Sequence, residues 1–249
     1  METHSFRKFP LFYSIPMNIT ERFYPRLYER FIFVSPVTKE KVTAGLGRKG
    51  IQCHLIPNGI NEDLLRVTPE EGGYLLFFSR IDIYTKGLDI LIRAFASIAS
   101  AYPGIRLVLA GYEFDRFETL VAECPPPLRE RIEYAGFVTG EEKRKLLSGA
   151  TFVVLPSRHE SSPISILEAA ACGKPVLVSD IPEMALVEEN GFGLSFSSGS
   201  VDGLSEKMKT LLADERMRAV MGRRGREYSS RFLWDRIAIQ FEDVLNLKA

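Results

Sequence analysis

The sequence predicts an α/β fold: a doubly wound parallel sheet followed by a helical C-terminal extension. Three observations carry that reading. From Tyr74 onward, short apolar runs alternate with longer stretches at helical spacing. The apolar runs are nearly continuous, the pattern of strands covered on both faces. After Ser200 the strand-like runs stop and the chain reads as helix almost to its end. Strands that alternate with helices build a parallel sheet with helices packed on both sides.

The elements follow in order. YLLFFS (residues 74–79) is a strand with no polar residue before its end, and LDILIRAFASIASAY (88–102) is a helix. RLVLAG (106–111) is a second strand. Residues 114–123 read as a helix, and Pro125, Pro126 and Pro127 as a break. IEYAGFV (132–138) is a strand and GEEKRKLLSGA (140–150) a charged helix. TFVVLP, SILEAAA, PVLVSD and FGLSF continue the series to Phe196. Beyond Ser200 three helical pieces are expected. Seven arginines lie between Arg216 and Arg236, interleaved with Glu215, Glu227 and Asp235, and predict a solvated face. Before Tyr74 the chain is less regular. Residues 19–35 read as a helix feeding a strand, residues 38–47 as a short helix ending near Gly45, and Asn58-Gly59 as a turn.

Composition narrows the function classes. The 249 residues, 45% hydrophobic and 26% charged, suffice for one large or two small domains. Lys plus Arg equals Asp plus Glu at 32 each, which argues against a nucleic-acid partner held by a strong positive field. Cys53, Cys124 and Cys172 have neither zinc spacing nor a disulfide framework, as in a reduced, cytoplasmic protein. No run approaches the ~20 apolar residues of a membrane span. The N-terminal stretch, broken by Pro10 and Pro16, lacks the core of a signal peptide. The expected location is therefore cytoplasmic, compatible with peripheral contact at the inner face of the membrane. GLGRKG (45–50) fits G-x-G-x-x-G, but a helix precedes it and a strand-like run follows. This is the reverse of the dinucleotide fingerprint, so the glycines read as helix-end and turn residues.

In open α/β sheets, ligands sit beyond the carboxyl ends of the strands. YLLFFS delivers Arg80, with Lys86 six residues later; TFVVLP delivers Arg158, His159 and Glu160. The next helix starts near Pro163, whose missing N–H is harmless in a first turn. The amides of Ile164, Ser165 and Ile166 then face outward, and with the helix dipole they form an anion site. Two cations and a helix N-terminus suit a diphosphate. Glu168 lies a little over one turn in, at ~1.5 Å per residue, and can reach past the anion to a sugar diol. Glu160, on the loop, stands on the other side. Two carboxylates bracketing a diphosphate describe a nucleotide sugar. His159 reads as a neutral loop residue. A glutamate pair eight apart is common by chance; its meeting with Arg80 and Lys86 at neighbouring strand ends is what carries the reading.

PSRHESSPISILEAAACGKPVLVSDIPEMALVEENGFGL resembles the E-x7-E segment of retaining glycosyltransferases of the GT-B fold, family 4. The order around it is similar too: VS then IPNGI, S-R and K-G flanking the first loop, a strand ending in glycine, YAGFV, and a G-x-P-V strand. The resemblance covers residues 20–240. It implies that Arg80 and Lys86 neutralise the leaving diphosphate, work that a metal does in other transferases. No cofactor or metal is then expected beyond the nucleotide-sugar substrate. It implies that Glu168 binds the ribose, that Glu160 stands by the donor sugar, and that the Gly136-Phe137-Val138 stretch contacts the base mainly through backbone groups. Retention is then same-face attack assisted by the leaving phosphate. Ser161 and Ser162 replace the usual Gly and aromatic, Pro163 removes an amide donor, and the G-x-G after the second strand is reduced to Gly111-Tyr112-Glu113.

On this resemblance residues 1–56 are a remnant of the acceptor-side domain and linker. Residues 57–230 are the donor-binding domain, and residues 231–249 a helix packing back toward the N-terminal part. An exposed apolar patch is expected near residues 9–33. The expected partners are the nucleotide sugar, a sugar or lipid-linked acceptor, and a protein supplying the acceptor domain. Three other readings use the same residues: a donor-binding subunit without activity of its own, a truncated inactive product, and a sugar-nucleotide epimerase.

Overall fold

The structure, a computed structural model, describes residues 27–46 and 50–246. Residues 19–26 of the segment read as a helix feeding a strand, and most of the apolar patch read near residues 9–33, lie outside that range, as does Gly47. The chain forms two compact units. One is the segment up to Asn58 together with Ile237 onward; the other is Gly59–Arg236.

In the first unit, β1 (Arg30–Phe33) and β2 (Gln52–Leu55) pair in parallel, Arg30 opposite Gln52 and Phe33 opposite Leu55. Between them runs α1 (Pro36–Leu46). Ser35 starts this helix: its hydroxyl accepts from the Thr38 N–H at 3.1 Å, and Pro36 fills the first turn without losing a bond. The order helix then strand matches the sequence reading of GLGRKG. Ile56 is buried with Ile237 and Val244, and Phe241 packs on them. The last three share one face of the terminal helix Trp234–Asn246, at helical spacing.

The second unit holds β3 (Tyr74–Phe78), α2 (Leu88–Ile98), β4 (Arg106–Ala110), α3 (Glu118–Ala122), α4 (Pro126–Arg129), β5 (Ile132–Gly136), α5 (Gly140–Gly149), β6 (Phe152–Leu155), α6 (Ile164–Ala171), β7 (Val176–Ser179), α7 (Leu186–Glu189), β8 (Gly193–Phe196), α8 (Val201–Ala213) and α9 (Glu215–Ser229). The terminal helix is α10. The six strands pair in parallel in the order β5-β4-β3-β6-β7-β8. Successive side chains of a strand point to opposite faces, so two cores form. Leu75, Phe77, Leu107, Leu109 and Val154 meet Leu91 and Phe95 of α2 and Leu204 and Met208 of α8. Leu76, Val108, Val153 and Val178 meet Ile166, Ala169 and Ala170 of α6 with Phe192. Burial of each large side chain contributes about 1.5–3 kcal/mol. α8 and α9 start on side-chain caps: Ser200 accepts from the Gly203 N–H at 3.0 Å and Asp214 from the Met217 N–H at 2.8 Å.

Three sequence expectations are corrected. The helix read over residues 114–123 is confined to Glu118–Ala122, because the Phe114 and Asp115 amides donate to the Ile81 carbonyl and hold that stretch against the loop after β3. The triple proline does not break the chain; Pro126 and Pro127 open the one-turn α4, where no N–H is needed. The arginine-rich tail is not a uniformly solvated face. Arg218 is buried and Arg226 half-buried. Arg218 makes a two-pronged pair with Glu71 at 2.9 and 2.8 Å and also donates to the Leu211 and Leu212 carbonyls. Arg226 donates to the Ala171 and Val67 carbonyls. α9 lies close on α6: a Cβ at Gly222 would stand 2.1 Å from the Gly173 carbonyl oxygen, so only glycine fits.

Candidate functional site

The strand order reverses between β3 and β6, since β4 lies on one side of β3 and β6 on the other. In open sheets of this kind the crevice beyond that point is the usual ligand position. The loop after β3 carries Arg80 and Lys86; the loop after β6 carries Ser157, Arg158 and Glu160.

The first loop is built around Asp82, which is buried. Its Oδ1 accepts from the Thr85 N–H at 2.8 Å, and its Oδ2 from Arg80 Nη2 at 2.9 Å. The Arg80 guanidinium also lies 4.8 Å over the Phe114 ring, which leaves the side chain about half exposed. Gly87 ends the loop with φ 69°, and a Cβ there would stand 2.0 Å from the Pro156 carbonyl oxygen. The two loops therefore touch through backbone. Arg158 ties them again: its N–H donates to Thr85 O at 2.9 Å, and its guanidinium grips both Asp89 oxygens at 2.8 Å. Arg158 is thus a fixture between the loops.

The carboxylates are each met by a lysine. Lys86 Nζ lies 2.6 Å from Glu160 Oε1, and the buried Ser157 hydroxyl donates to the same oxygen at 2.8 Å. The two side chains are only 15% and 7% exposed. Glu168, on α6, accepts from Lys143 of α5 at 2.7 Å, with both side chains largely buried. The structure brings Lys86 and Glu160 into contact and joins Arg80 to Asp82. Phe137 is 71% exposed beyond Gly136, where φ is 75° and β5 ends. Val138 is buried in the core, so only its backbone is available to a ligand. At the start of α6, Ile164 is exposed, Ile166 is buried, and the Ile166 N–H donates to Pro163 O at 3.2 Å. The amide set read from the sequence thus contracts to Ile164 and Ser165.

Ser157, Lys143 and Asp82 escaped the sequence reading. Ser157 had one signal, a hydroxyl straight after an apolar strand; Lys143 is hidden in the charged run GEEKRK. Among the described residues no three His, Cys, Asp or Glu side chains gather as a metal set, and no helix is long and apolar enough to cross a membrane. A cleft of ≈ 360 Å³ opens at the other end of the sheet, lined by Glu70, Glu71, Lys174, Arg218 and Arg226 among others. Its Arg218 and Arg226 are the structural clamps described above.

A profile of the family described as Glycosyl transferases group 1 matches residues 65–228. The chain belongs to that family. Its six-stranded parallel sheet is that of the C-terminal domain of the GT-B fold. An uncharacterized glycosyltransferase of Methanocaldococcus jannaschii is 28% identical over 218 residues, 87% of this chain and 59% of that protein. A Mycobacterium leprae phosphatidyl-myo-inositol mannosyltransferase is 28% identical over 221 residues, 86% of this chain and 58% of that one. This glycosyltransferase-family chain therefore spans about six-tenths of the length of these two relatives. Sucrose-phosphate synthase from Thermosynechococcus elongatus superposes with a TM-score of 0.80 at 26% identity, over 91% of this chain and 60% of that one. Anabaena HepE, solved with UDP-glucose, shares the fold at a TM-score of 0.78 and 22% identity, over 93% of this chain and 66% of that one.

Proposed function

We propose that this chain moves a hexose from a UDP- or GDP-linked nucleotide sugar to a sugar or lipid-linked acceptor, with retention of configuration, in glycan, polysaccharide or glycolipid synthesis. The observation that supports this most directly is the meeting of Lys86 and Glu160 at the point where the strand order reverses. In this reading Arg80 and Lys86 hold the diphosphate, together with the amides of Ile164 and Ser165. Glu168 accepts from the ribose, the Phe137-Val138 backbone borders the base, and Glu160 takes a hydroxyl of the donor sugar. The anomeric C–O bond breaks, its electron pair goes to the phosphate oxygen, and the two cations stabilise that charge. The acceptor hydroxyl attacks from the same face and gives its proton to the leaving phosphate. Residues 57–230 serve as the donor domain, with residues 1–56 and 231–249 belonging to the acceptor side. The lipid-named mannosyltransferase relative and the UDP-glucose complex of HepE support the substrate class. A lipid-linked acceptor would place the protein at the inner membrane face.

A second reading of the same residues is a donor-binding subunit that transfers only with a partner supplying the acceptor domain. Sugar transfer by the purified chain alone excludes it. The first experiment is calorimetric titration with UDP, GDP and ADP, repeated with Glu168→Ala and Arg80→Ala. The expected result is binding of one diphosphate, weakened about tenfold or more in each variant. A folded chain that binds none of the three overturns both readings.

A further inference from the structure

Glu160 is held twice on one atom. Lys86 Nζ and Ser157 Oγ both approach Oε1, which leaves Oε2 as the acceptor a sugar hydroxyl would use. A carboxylate only 7% exposed needs a donor at all times, because a buried charge without a partner is costly. Its two donors differ in kind. Lys86 is a point charge with three N–H groups on a flexible stem, and it is the cation assigned above to the diphosphate. A doubly charged anion in the crevice competes with Glu160 for that lysine. Ser157 has no such competitor. It is neutral and fully buried, two residues past the end of β6. The adjoining Pro156 carbonyl is wedged against Gly87.

Resting on the donor-site reading, we propose that Ser157 is the positioning residue for Glu160. Its hydroxyl keeps the carboxylate aimed at the donor sugar when Lys86 engages the diphosphate. Lys86 is then shared between two anions, and Ser157 makes the sharing tolerable by giving Glu160 a donor that never leaves. The role predicts a selective effect. Ser157 matters for a ligand that carries the sugar and not for one that carries the diphosphate alone.

The test compares two probes on the full chain. Affinities are measured for whichever of UDP, GDP and ADP binds, and for the glucose and mannose conjugates of that diphosphate, with Ser157→Ala and Ser157→Cys. The better-bound conjugate is expected to lose about tenfold or more, while the diphosphate stays within about twofold, the scale of one hydrogen bond to a charged group. Ser157→Cys keeps the volume and exchanges a strong donor for a weak one; it gives the same split where the alanine variant does not fold. Equal losses for both probes make Ser157 a general structural residue and overturn the proposal, and so does no loss for either. An unmodified chain that binds no diphosphate overturns the donor-site reading first and this role with it. A bound diphosphate without the split overturns this role alone.

Discussion

The two ends of the parallel sheet use the same side-chain types in opposite ways. At the amino end Arg218 donates through four of its N–H groups, to both Glu71 oxygens and to two carbonyls. Arg226 meets two carbonyls there, and Lys174 donates to the Glu70 carbonyl. At the carboxyl end Lys86 and Lys143 each meet a single carboxylate oxygen, although an ammonium offers three donors. Burial does not separate the two ends, since Lys86 and Glu160 are nearly as enclosed as Arg218. The partners do. Arg218, Arg226 and Lys174 each reach a backbone carbonyl and clamp the chain, whereas Lys86 and Lys143 meet side-chain carboxylates. The cleft is at the clamped end.

The largest effect should come from breaking the clamp. Arg218→Ala is expected to lower the unfolding free energy by about 2–3 kcal/mol, less than for a fully buried pair because the Glu71 left behind is half exposed. Urea denaturation measures it, and nucleotide affinity of the folded variant should not move. A small loss would mean that the amino end is not the fixed one. Lys174 gives the next effect. Burial pushes its ammonium down to about 8 from its ordinary 10.5. Between those pH values the unfolded chain holds a proton that the folded chain has released, so stability rises with pH from about 8 to 10.5. Below 8 both forms are protonated and the destabilisation is complete and constant. Lys174→Met should remove that rise, which is on the order of 2–3 kcal/mol, in stability curves compared across the window.

Lys86→Met tests the other end. Ser157 still donates to Glu160, so the fold should lose only about 1–2 kcal/mol. Nucleoside diphosphate affinity should fall about tenfold or more in a calorimetric titration. Loss of stability without loss of affinity would turn this pair into another clamp. The smallest effect belongs to the exposed pair of Arg66 with Glu62, 72% and 56% exposed. Arg66→Ala should stay within about 0.5 kcal/mol by urea denaturation, setting the baseline for the others.

Much of this was legible in the chain. The alternation of apolar runs with helical spacing gives the parallel sheet, and reading the strand ends leads to Arg80, Lys86, Glu160 and Glu168 because the carboxyl ends are where such sheets open. What was hidden depends on contacts distant in sequence. Arg218 looked like one of seven solvated arginines because its partner Glu71 is 147 residues away. Lys143 sits in a run of charges that local spacing assigns to solvent, and only the packing of α5 beside α6 turns it toward Glu168. Residues 114–123 have helical composition, but the Ile81 carbonyl draws the first two amides against the loop after β3. Local propensity is overruled wherever a loop is needed to hold a site.

The three cysteines are unequal in a way that is useful at the bench. Cys124 and Cys172 are buried, and burial pushes the Cys172 thiol up to about 12, where almost no thiolate forms at neutral pH. Cys53, on β2, is partly exposed. A maleimide dye added at neutral pH should therefore label Cys53 alone, placing a fluorescent reporter in the unit of β1 and β2 without a single mutation.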